Sequence, residues 1–203
     1  MSKLSLEVND NVATLTINSP PANALSTSIL KQLDEKLDEI EELNDVKVVI
    51  LKGEGRFFSA GADIKEFTTL QGASDYTSLS RKGQIIFDRM ESFHVPIIAA
   101  IHGAALGGGL ELAMACHIRI VSDKAKLGLP ELTLGIVPGF VGTQRLPQLV
   151  GTAKAYELLL TSDAVSGEEA ARIGLANQSV KEEALFTTAE QMAKKIASKS
   201  KPT

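Results

Sequence analysis

The chain has 203 residues, of which 44% are hydrophobic and 23% charged, with a formal net charge of −4. This length and composition suit one globular domain, or one domain plus a piece of another, with a large core that needs no disulfides. The acidic balance, without basic clusters interleaved with aromatic residues, disfavours nucleic-acid binding as the main activity. Cys116 is the single cysteine and lies in an apolar run, so we expect a buried hydrophobe and no zinc site.

Two features bear on the compartment. The first residues, "MSKLSLEVND", are too polar for a signal peptide. The longest apolar region, Val95 to Val121, is interrupted by His102, Glu111, His117 and Arg119, which favours a buried sheet and helix over a membrane span. We therefore expect a cytoplasmic protein.

The first third of the chain predicts a hairpin, a helix and a buried strand. "LSLEVND" and "VATLTIN" are strand-like and flank a turn at Asn9 to Asn11. After the loop "SPPANALS", Ser26 can cap a helix that runs to about Leu43 with apolar residues at helical spacing. The β-branched run "VKVVILKG" follows as a buried strand.

The remaining segments continue the alternation of strands and helices. "EGRFFSAGADIKEF" predicts a loop that leads into a helical turn, and Ser74 to Phe93 a helix. The strand "IIAAI", a glycine motif with its helix, and the strand "HIRIVS" come next. "KLGLPELTLGIVPGFVGTQRLPQLVG" is rich in Gly and Pro and predicts an ordered loop region with short elements.

The C-terminal part predicts the helix "TAKAYELLLT", then the helix "SGEEAARIGLAN", capped by Ser166 and ended by Gly174. The short strand "QSVK" and a helix from about Glu182 to Ser198 complete the chain. The alternation favours an α/β fold. Strand–loop–helix units are compatible with a spiral, which periodicity alone does not establish.

The glycine motif "IHGAALGGGLELAMAC", Ile101 to Cys116, resembles a phosphate loop but fails the known patterns. In a dinucleotide fingerprint starting at Gly107, the third glycine position is occupied by Leu112. No P-loop lysine follows, and no nucleophile elbow exists, because Phe57 stands two residues before Ser59.

A physical explanation remains. Amides at a helix start have no intrahelical partner, and glycines let a ligand oxygen approach, so Gly107 to Gly109 can form an oxyanion hole. Glu111 lies one turn further on the same face as Gly108. A tight packing turn with a surface Glu is an equally good explanation from this segment alone. The small residues Ala60 to Ala62 offer a second set of donors, or an ordinary β–α loop.

A second acid, Glu131, lies between Pro130 and apolar residues. Isolated acids in apolar stretches are uncommon unless they are paired or functional. Two carboxylates that face one substrate carbon can handle a water and a proton between them. The alternative is an acid that merely stabilises a helix N-terminus after a proline.

Three ordered motifs, "FFSAGADIKEF", "IHGAALGGGLELAMAC" and "LPELTLGIVPGFVGTQRL", together resemble the crotonase family, and most closely its bacterial enoyl-CoA hydratases. "PPANALS" and "VPIIAAIHG" fit the same family, and the resemblance runs from about residue 3 to the end. It implies an α/β fold built as a spiral of repeated ββα units, with residues 1–203 as one crotonase spiral domain.

The resemblance also implies the chemistry. The substrate is an acyl-CoA thioester whose carbonyl oxygen accepts hydrogen bonds from the backbone amides of Ala62 and Gly108. Glu111 activates a water for attack at Cβ, Glu131 exchanges the proton at Cα, and the amide of Gly139 helps to position the water. Arg145 is expected to order its loop and not to act in catalysis.

The implied substrate contacts lie in three segments. CoA belongs to the substrate, and no further cofactor and no metal are expected. Lys65 is the candidate cation near the nucleotide end, while Ile64 and Phe67 are candidates for the acyl pocket. The residues implied to contact CoA or substrate are Asn23, Ala24, Leu25, Ala60, Ala62, Asp63, Ile64, Lys65, Gly107 and Gly108.

The presence of both acids favours an enoyl-CoA hydratase, a hydro-lyase that adds water reversibly and syn to a trans-2-enoyl-CoA in acyl-CoA degradation. Another crotonase reaction, such as enoyl-CoA isomerisation, is one alternative. A non-catalytic acyl-CoA binder is another; it would need the amide donors but not both Glu111 and Glu131.

Family members continue for several dozen residues beyond "KKIASKSKPT". The resemblance implies that most of the C-terminal helical segment, which closes the acyl pocket and builds much of a trimer contact, is missing here. We expect exposed apolar surface in its place. A homotrimer or hexamer is expected for the full-length protein, weakened or lost in this chain.

Overall fold

The computed structural model describes residues 3–63, 66 and 73–199. The chain begins with an antiparallel hairpin, in which Leu4 pairs with Ile17. Helix α1 follows, and its cap is the expected one, because the Ser26 hydroxyl accepts a hydrogen bond from the Ile29 amide at 3.3 Å. The first elements are β1 (Leu4–Asn9), β2 (Val12–Ile17), α1 (Thr27–Glu41), β3 (Val48–Gly53), α2 (Ala73–Glu91) and β4 (Ile97–Ile101).

The second half alternates short strands with helices. Its elements are β5 (Ala104–Leu106), α3 (Gly108–Met114), β6 (Ile118–Ser122), β7 (Lys126–Gly128), a 3₁₀ turn (Pro130–Leu134), α4 (Gly142–Val150), α5 (Thr152–Thr161), β8 (Val165–Ser166), α6 (Gly167–Arg172), β9 (Gln178–Val180), a second 3₁₀ turn (Glu182–Ala184) and α7 (Leu185–Ala197).

A six-stranded sheet in the order β1-β2-β3-β4-β6-β9 forms the centre of the fold. Only the β1–β2 pair is antiparallel; the remaining pairs in this sheet run parallel. Both faces are covered. In β4, Ile98 and Ala100 face one core, whereas Ile97, Ala99 and Ile101 face the other. Burial on both faces explains why the strands read as continuous apolar runs.

The two cores differ in their helices. On one face, α7 contributes Leu185, Ala189, Ala193 and Ala197, and its small residues allow a close approach to the strands. On the other face lies the larger core, which contains the buried stripe of α1. That stripe repeats at helical spacing, as the sequence predicted; its residues are Ile29, Leu30, Leu33, Leu37 and Ile40.

A second sheet, β5-β7-β8, positions the glycine motif. β5 pairs with β7 in parallel and directly precedes α3. The Gly107 amide donates to the Gly128 carbonyl at 2.9 Å, and Gly107 has a φ of 52°, a left-handed conformation that glycine adopts without strain. The sharp turn from β5 into α3 is therefore fixed on both sides.

The sequence predicted the long elements well and the short ones poorly. The Gly- and Pro-rich region contains short elements as expected, but one of them is the nine-residue helix α4, which carries Pro147 inside it. The predicted helix from Glu182 begins as a 3₁₀ turn and becomes α-helical at Leu185. In the described part of the chain, no helix is long and apolar enough to cross a membrane.

Candidate active site

Two loops meet at the start of α3. The Leu106 amide donates to the Ser59 carbonyl at 3.0 Å, and the Ser59 amide to the Ala104 carbonyl at 3.1 Å. A Cβ built on Gly108 would lie 3.4 Å from the Ala62 nitrogen, which shows how close these backbones are. Among the described residues, neither the Ala62 nor the Gly108 amide donates to an acceptor. The two amides expected from the sequence are thus adjacent, and both are free with respect to the part of the chain that the structure describes.

Glycine is required at this junction. A Cβ on Gly109 would overlap the Ser59 carbonyl oxygen, and one on Gly107 would lie 2.9 Å from Glu131 Oε1. The absence of side chains therefore lets α3 start directly against the Ser59 loop and the Glu131 carboxyl. Glycine at positions 107 and 109 is therefore required by this packing.

Glu111 sits one turn into α3 and is 1% exposed. Its Oε1 accepts hydrogen bonds from the amides of Phe140 at 2.8 Å and Gly142 at 2.7 Å. Val141 between them has a φ of 72°, a left-handed conformation unfavourable for a β-branched residue. That conformation turns both neighbouring amides toward one oxygen and so forms an anion-binding nest.

The acidity of Glu111 follows from these surroundings. Burial, with a smaller contribution from the nearby Glu131 charge, raises the pKa of its carboxyl from 4.5 to about 7. The amides of Gly142 and Phe140 act in the opposite direction and favour the carboxylate. Glu111 can therefore gain and lose a proton near neutral pH.

Glu131 lies in the 3₁₀ turn after Pro130 and is 9% exposed. Its Oε2 is buried and has no hydrogen-bond partner within the described residues. Burial raises the pKa of this carboxyl above its usual value. Because Glu131 Oε2 has no partner among the described residues, this carboxyl can hold a proton and pass it to a bound group, whereas two amides orient Glu111 and favour its carboxylate form.

The loop that holds Glu111 is anchored by Arg145. This side chain is buried; its Nη1 donates to the Phe140 carbonyl at 2.9 Å, and its Nη2 pairs with Asp88 at 2.7 Å and Glu91 at 2.9 Å on α2. The Gln84 side chain donates to the Gly139 carbonyl at 2.9 Å. Both contacts fix residues 139–142 to α2, which agrees with the ordering role expected for Arg145.

The segment 23–25 lies beside residues 60–63. The Leu25 amide donates to the Gly61 carbonyl at 2.7 Å, and the Asp63 amide to the Leu25 carbonyl at 3.3 Å. Ala24, Ala60, Ala62 and Asp63 are partly exposed, whereas Asn23 and Leu25 are buried. The segments expected to contact CoA therefore form one surface beside the free amides. Ile64, Lys65 and Phe67 lie outside the described residues.

The Asn23 side chain has a structural role that the sequence analysis did not predict. Its Nδ2 donates to the carbonyls of Glu54 at 2.9 Å and Phe57 at 2.7 Å, and its Oδ1 accepts from the Ser19 amide at 2.8 Å. This side chain ties the two loops together, and the Asn23 backbone is engaged as well: its amide donates to the Ser19 carbonyl and its carbonyl accepts from the Ser59 hydroxyl, both at 2.8 Å. The predicted CoA contact at Asn23 stays a prediction.

Sequence reasoning also missed the amides of Phe140 and Gly142. These contacts with Glu111 join residues about thirty positions apart, and a local pattern carries no signal for them. In the part of the chain that the structure describes, no group of three or more His, Cys, Asp or Glu residues could hold a metal ion.

Two free amides beside two buried carboxyls define a site for acid–base chemistry on a carbonyl compound, with the amides stabilising negative charge on its oxygen. The chain belongs to the enoyl-CoA hydratase/isomerase family, because the sequence model of that family matches residues 7–203.

Curated relatives cover the whole chain. A probable enoyl-CoA hydratase of Bacillus subtilis is 58% identical over 100% of this chain and 79% of its own length. A short-chain-enoyl-CoA hydratase of Clostridium acetobutylicum is 45% identical over 98% of this chain and 76% of its own. A peroxisomal fatty acid β-oxidation multifunctional protein of Arabidopsis thaliana is 44% identical over 98% of this chain, which spans only 28% of that protein.

The fold agrees with solved structures. An enoyl-CoA hydratase from Bacillus anthracis superposes with a TM-score of 0.94 at 39% identity, covering 98% of this chain and 78% of that one. The predicted crotonase fold is confirmed by this superposition. The predicted activity class, a hydro-lyase of the enoyl-CoA hydratase type, is confirmed by the family and by the names of the relatives.

Proposed function

We propose that this chain hydrates a trans-2-enoyl-CoA to the 3-hydroxyacyl-CoA and that the free amides and two carboxyls described above perform the reaction. One observation carries the assignment of roles. Both carboxyls are buried beside the same helix start, yet only Glu111 is held by two amides while Glu131 Oε2 is without a partner in the described chain. Paired titratable groups in unequal surroundings are typical of an acid and a base.

The substrate binds with its thioester oxygen at the amides of Ala62 and Gly108. These donors draw electron density onto the oxygen, which leaves Cβ open to attack. The α3 dipole, positive at Gly108, adds to the effect. Residues 23–25 and 60–63 hold the CoA portion; Ile64 and Lys65 are proposed to extend that contact.

Glu111 takes a proton from water while the water oxygen forms its bond to Cβ. The π electrons of the double bond move to the thioester and give an enolate whose charge rests on the two amides. Glu131 then donates its proton to Cα, and the enolate returns to the thioester. The amide of Gly139 is proposed to hold the water, and dehydration follows the same steps in reverse.

Assembly and compartment are part of the proposal. Exposed apolar side chains cluster on the 3₁₀ turn Pro130–Leu134, on the residues directly after it and on α5. This turn and α5 are in contact. We propose that this surface is covered in a homotrimer or hexamer of the full-length protein. A cytoplasmic location is likewise proposed. The exposed residues are Leu132, Leu134, Ile136, Val137, Tyr156 and Leu160.

Hydration of crotonyl-CoA tests the proposal. The reaction is monitored by the loss of the conjugated-thioester absorbance, and its product is identified as 3-hydroxybutanoyl-CoA. Glu111→Gln and Glu131→Gln should each lower kcat by about a hundredfold or more, because each removes one proton-transfer group. Affinity for butanoyl-CoA should stay within about threefold, since the amides are intact.

The same samples separate the alternatives. An isomerase converts a 3-enoyl-CoA to the 2-enoyl-CoA without forming the hydroxyacyl product. A binder retains butanoyl-CoA but turns over neither enoyl-CoA. Either result with the wild-type chain contradicts the proposed hydration.

A further inference from the structure

The ring of Phe140 is wedged between two helices at the active site. On one side, its Cδ2 and Cε2 would lie 3.1 Å from a Cβ built on Gly108, the first residue of α3. On the other side, a Cβ on Gly83 of α2 would overlap Cδ1 and Cε1. The ring therefore fills the space between α3 and α2, and glycine at positions 108 and 83 makes room for it.

This ring is held in place. Phe140 is 5% exposed and packs edge-on against Phe87, with ring centroids 5.3 Å apart and planes at 69°. Its carbonyl accepts from Arg145 and its amide donates to Glu111. Displacing the ring would strain the loop that holds Glu111, so substrate binding cannot move it cheaply.

The position matters for the acyl chain. In the proposed function, on which this inference rests, the thioester oxygen lies at the Gly108 amide and the Cα–Cβ bond faces Glu111 and Glu131. Phe140 binds Glu111 through its backbone and covers Gly108 with its ring. The carbons beyond Cβ therefore extend toward a rigid aromatic wall.

We propose that Phe140 closes the acyl pocket and makes this chain selective for short enoyl-CoA substrates. Phe140 is then a specificity-determining residue, and Gly83 is the small residue that allows it to occupy this place. A longer acyl chain must displace the ring, at a cost that shorter substrates avoid.

The experiment measures kcat/KM for crotonyl-CoA and trans-2-decenoyl-CoA in the wild type, Phe140→Ala and Phe140→Leu. Phe140→Ala should raise the ratio of decenoyl-CoA to crotonyl-CoA by about tenfold or more, because the removed ring opens the pocket to additional methylenes. Phe140→Leu should give an intermediate ratio and keeps much of the packing. Phe93→Ala, another buried ring in the same core, is the control and should leave the ratio unchanged.

A binding measurement keeps this inference separate from the proposed reaction. Titration with butanoyl-CoA and decanoyl-CoA should show the same change in preference for Phe140→Ala, without any chemistry. If no enoyl-CoA is hydrated, the proposed reaction fails, and these affinities still decide the role of Phe140. A wild type that prefers the long chain, or a ratio unchanged in Phe140→Ala, overturns the inference.

Discussion

Glu111 shows how one residue exchanges stability for function. A carboxyl that is 1% exposed and meets another carboxyl would bind its proton more tightly without the two amides that face it. The strained Val141 creates this pair of donors. A sequence reader can find Glu111 as an acid among apolar residues, but the φ of Val141 leaves no trace in the sequence.

The raised pKa predicts a dependence of stability on pH. Between about pH 4.5 and 7, the folded protein keeps a proton on Glu111 that the unfolded chain has released. The free energy of unfolding therefore falls as pH rises through this range. Glu111→Gln should remove that loss and stabilise the protein above pH 7 by about 3 kcal/mol at most.

Urea denaturation at about pH 5 and about pH 8 measures this effect. The gain in Glu111→Gln should be present at the higher pH and small at the lower. Glu183→Gln, an exposed acid on a 3₁₀ turn, is the control and should leave stability unchanged at both. A Glu111→Gln variant no more stable than wild type at about pH 8 would contradict the account of this pKa.

At the scale of elements, the site is the junction between the start of α3 and three loops. The second sheet positions the start of α3, the Ser59 backbone pairs its loop with β5, and Arg145 fixes the loop of residues 139–142 to α2. The sequence predicted α3 and its glycines, because a glycine run before an apolar helix is visible locally. It did not predict β5, β7 and β8, since strands of two or three residues are too short to show periodicity.

Two neighbouring glycines in α3 should respond differently to alanine. At Gly108 the added methyl meets the Phe140 ring at 3.1 Å and the Ala62 nitrogen at 3.4 Å, so it narrows the space before the two amides. Gly108→Ala should fold but lose some stability, because the Phe140 ring must shift by a few tenths of an ångström, which offsets the better helix propensity of alanine. Its kcat/KM for crotonyl-CoA should fall by about a hundredfold or more.

Gly109→Ala is the matched control for this test. Its methyl would overlap the Ser59 carbonyl oxygen, so this variant should lose stability together with activity. Thermal unfolding monitored by circular dichroism separates the two results. Because alanine keeps the backbone amide, full activity in Gly108→Ala would contradict the claim that a methyl here narrows the space in which the thioester oxygen binds.

At the scale of the whole molecule, the fold is a parallel sheet buried on both faces, with a smaller sheet that carries the site. The long apolar strands and the stripe of α1 predicted this architecture class, and the ordered motifs predicted the family. The contacts that bring residues 23, 59, 107 and 140 into one site are long-range. Local sequence patterns do not predict such contacts, so only the resemblance of the motifs to a known family indicated that these segments form one site. Apolar side chains are exposed on the 3₁₀ turn Pro130–Leu134 and on α5; their link to a C-terminal helical segment stays a prediction.

That surface predicts the behaviour of the chain in solution. Leu134 is 65% and Leu160 69% exposed, and an apolar surface of this kind favours association. We expect the 203-residue chain to show scattering that rises with concentration and no single defined oligomer. Leu134→Lys with Leu160→Lys should reduce the scattering without lowering the Tm. A stable trimer over a wide concentration range, unaffected by these changes, would contradict this view.

The division of labour between the two carboxyls is the central claim, and exchange at Cα tests it most directly. In D₂O, butanoyl-CoA has no double bond to hydrate, so NMR can follow deuterium entering Cα by reversible enolisation alone. Wild type and Glu111→Gln should both catalyse this exchange, since Glu131 and the amides remain, while Glu131→Gln should not. Exchange lost in Glu111→Gln but kept in Glu131→Gln would contradict the assignment.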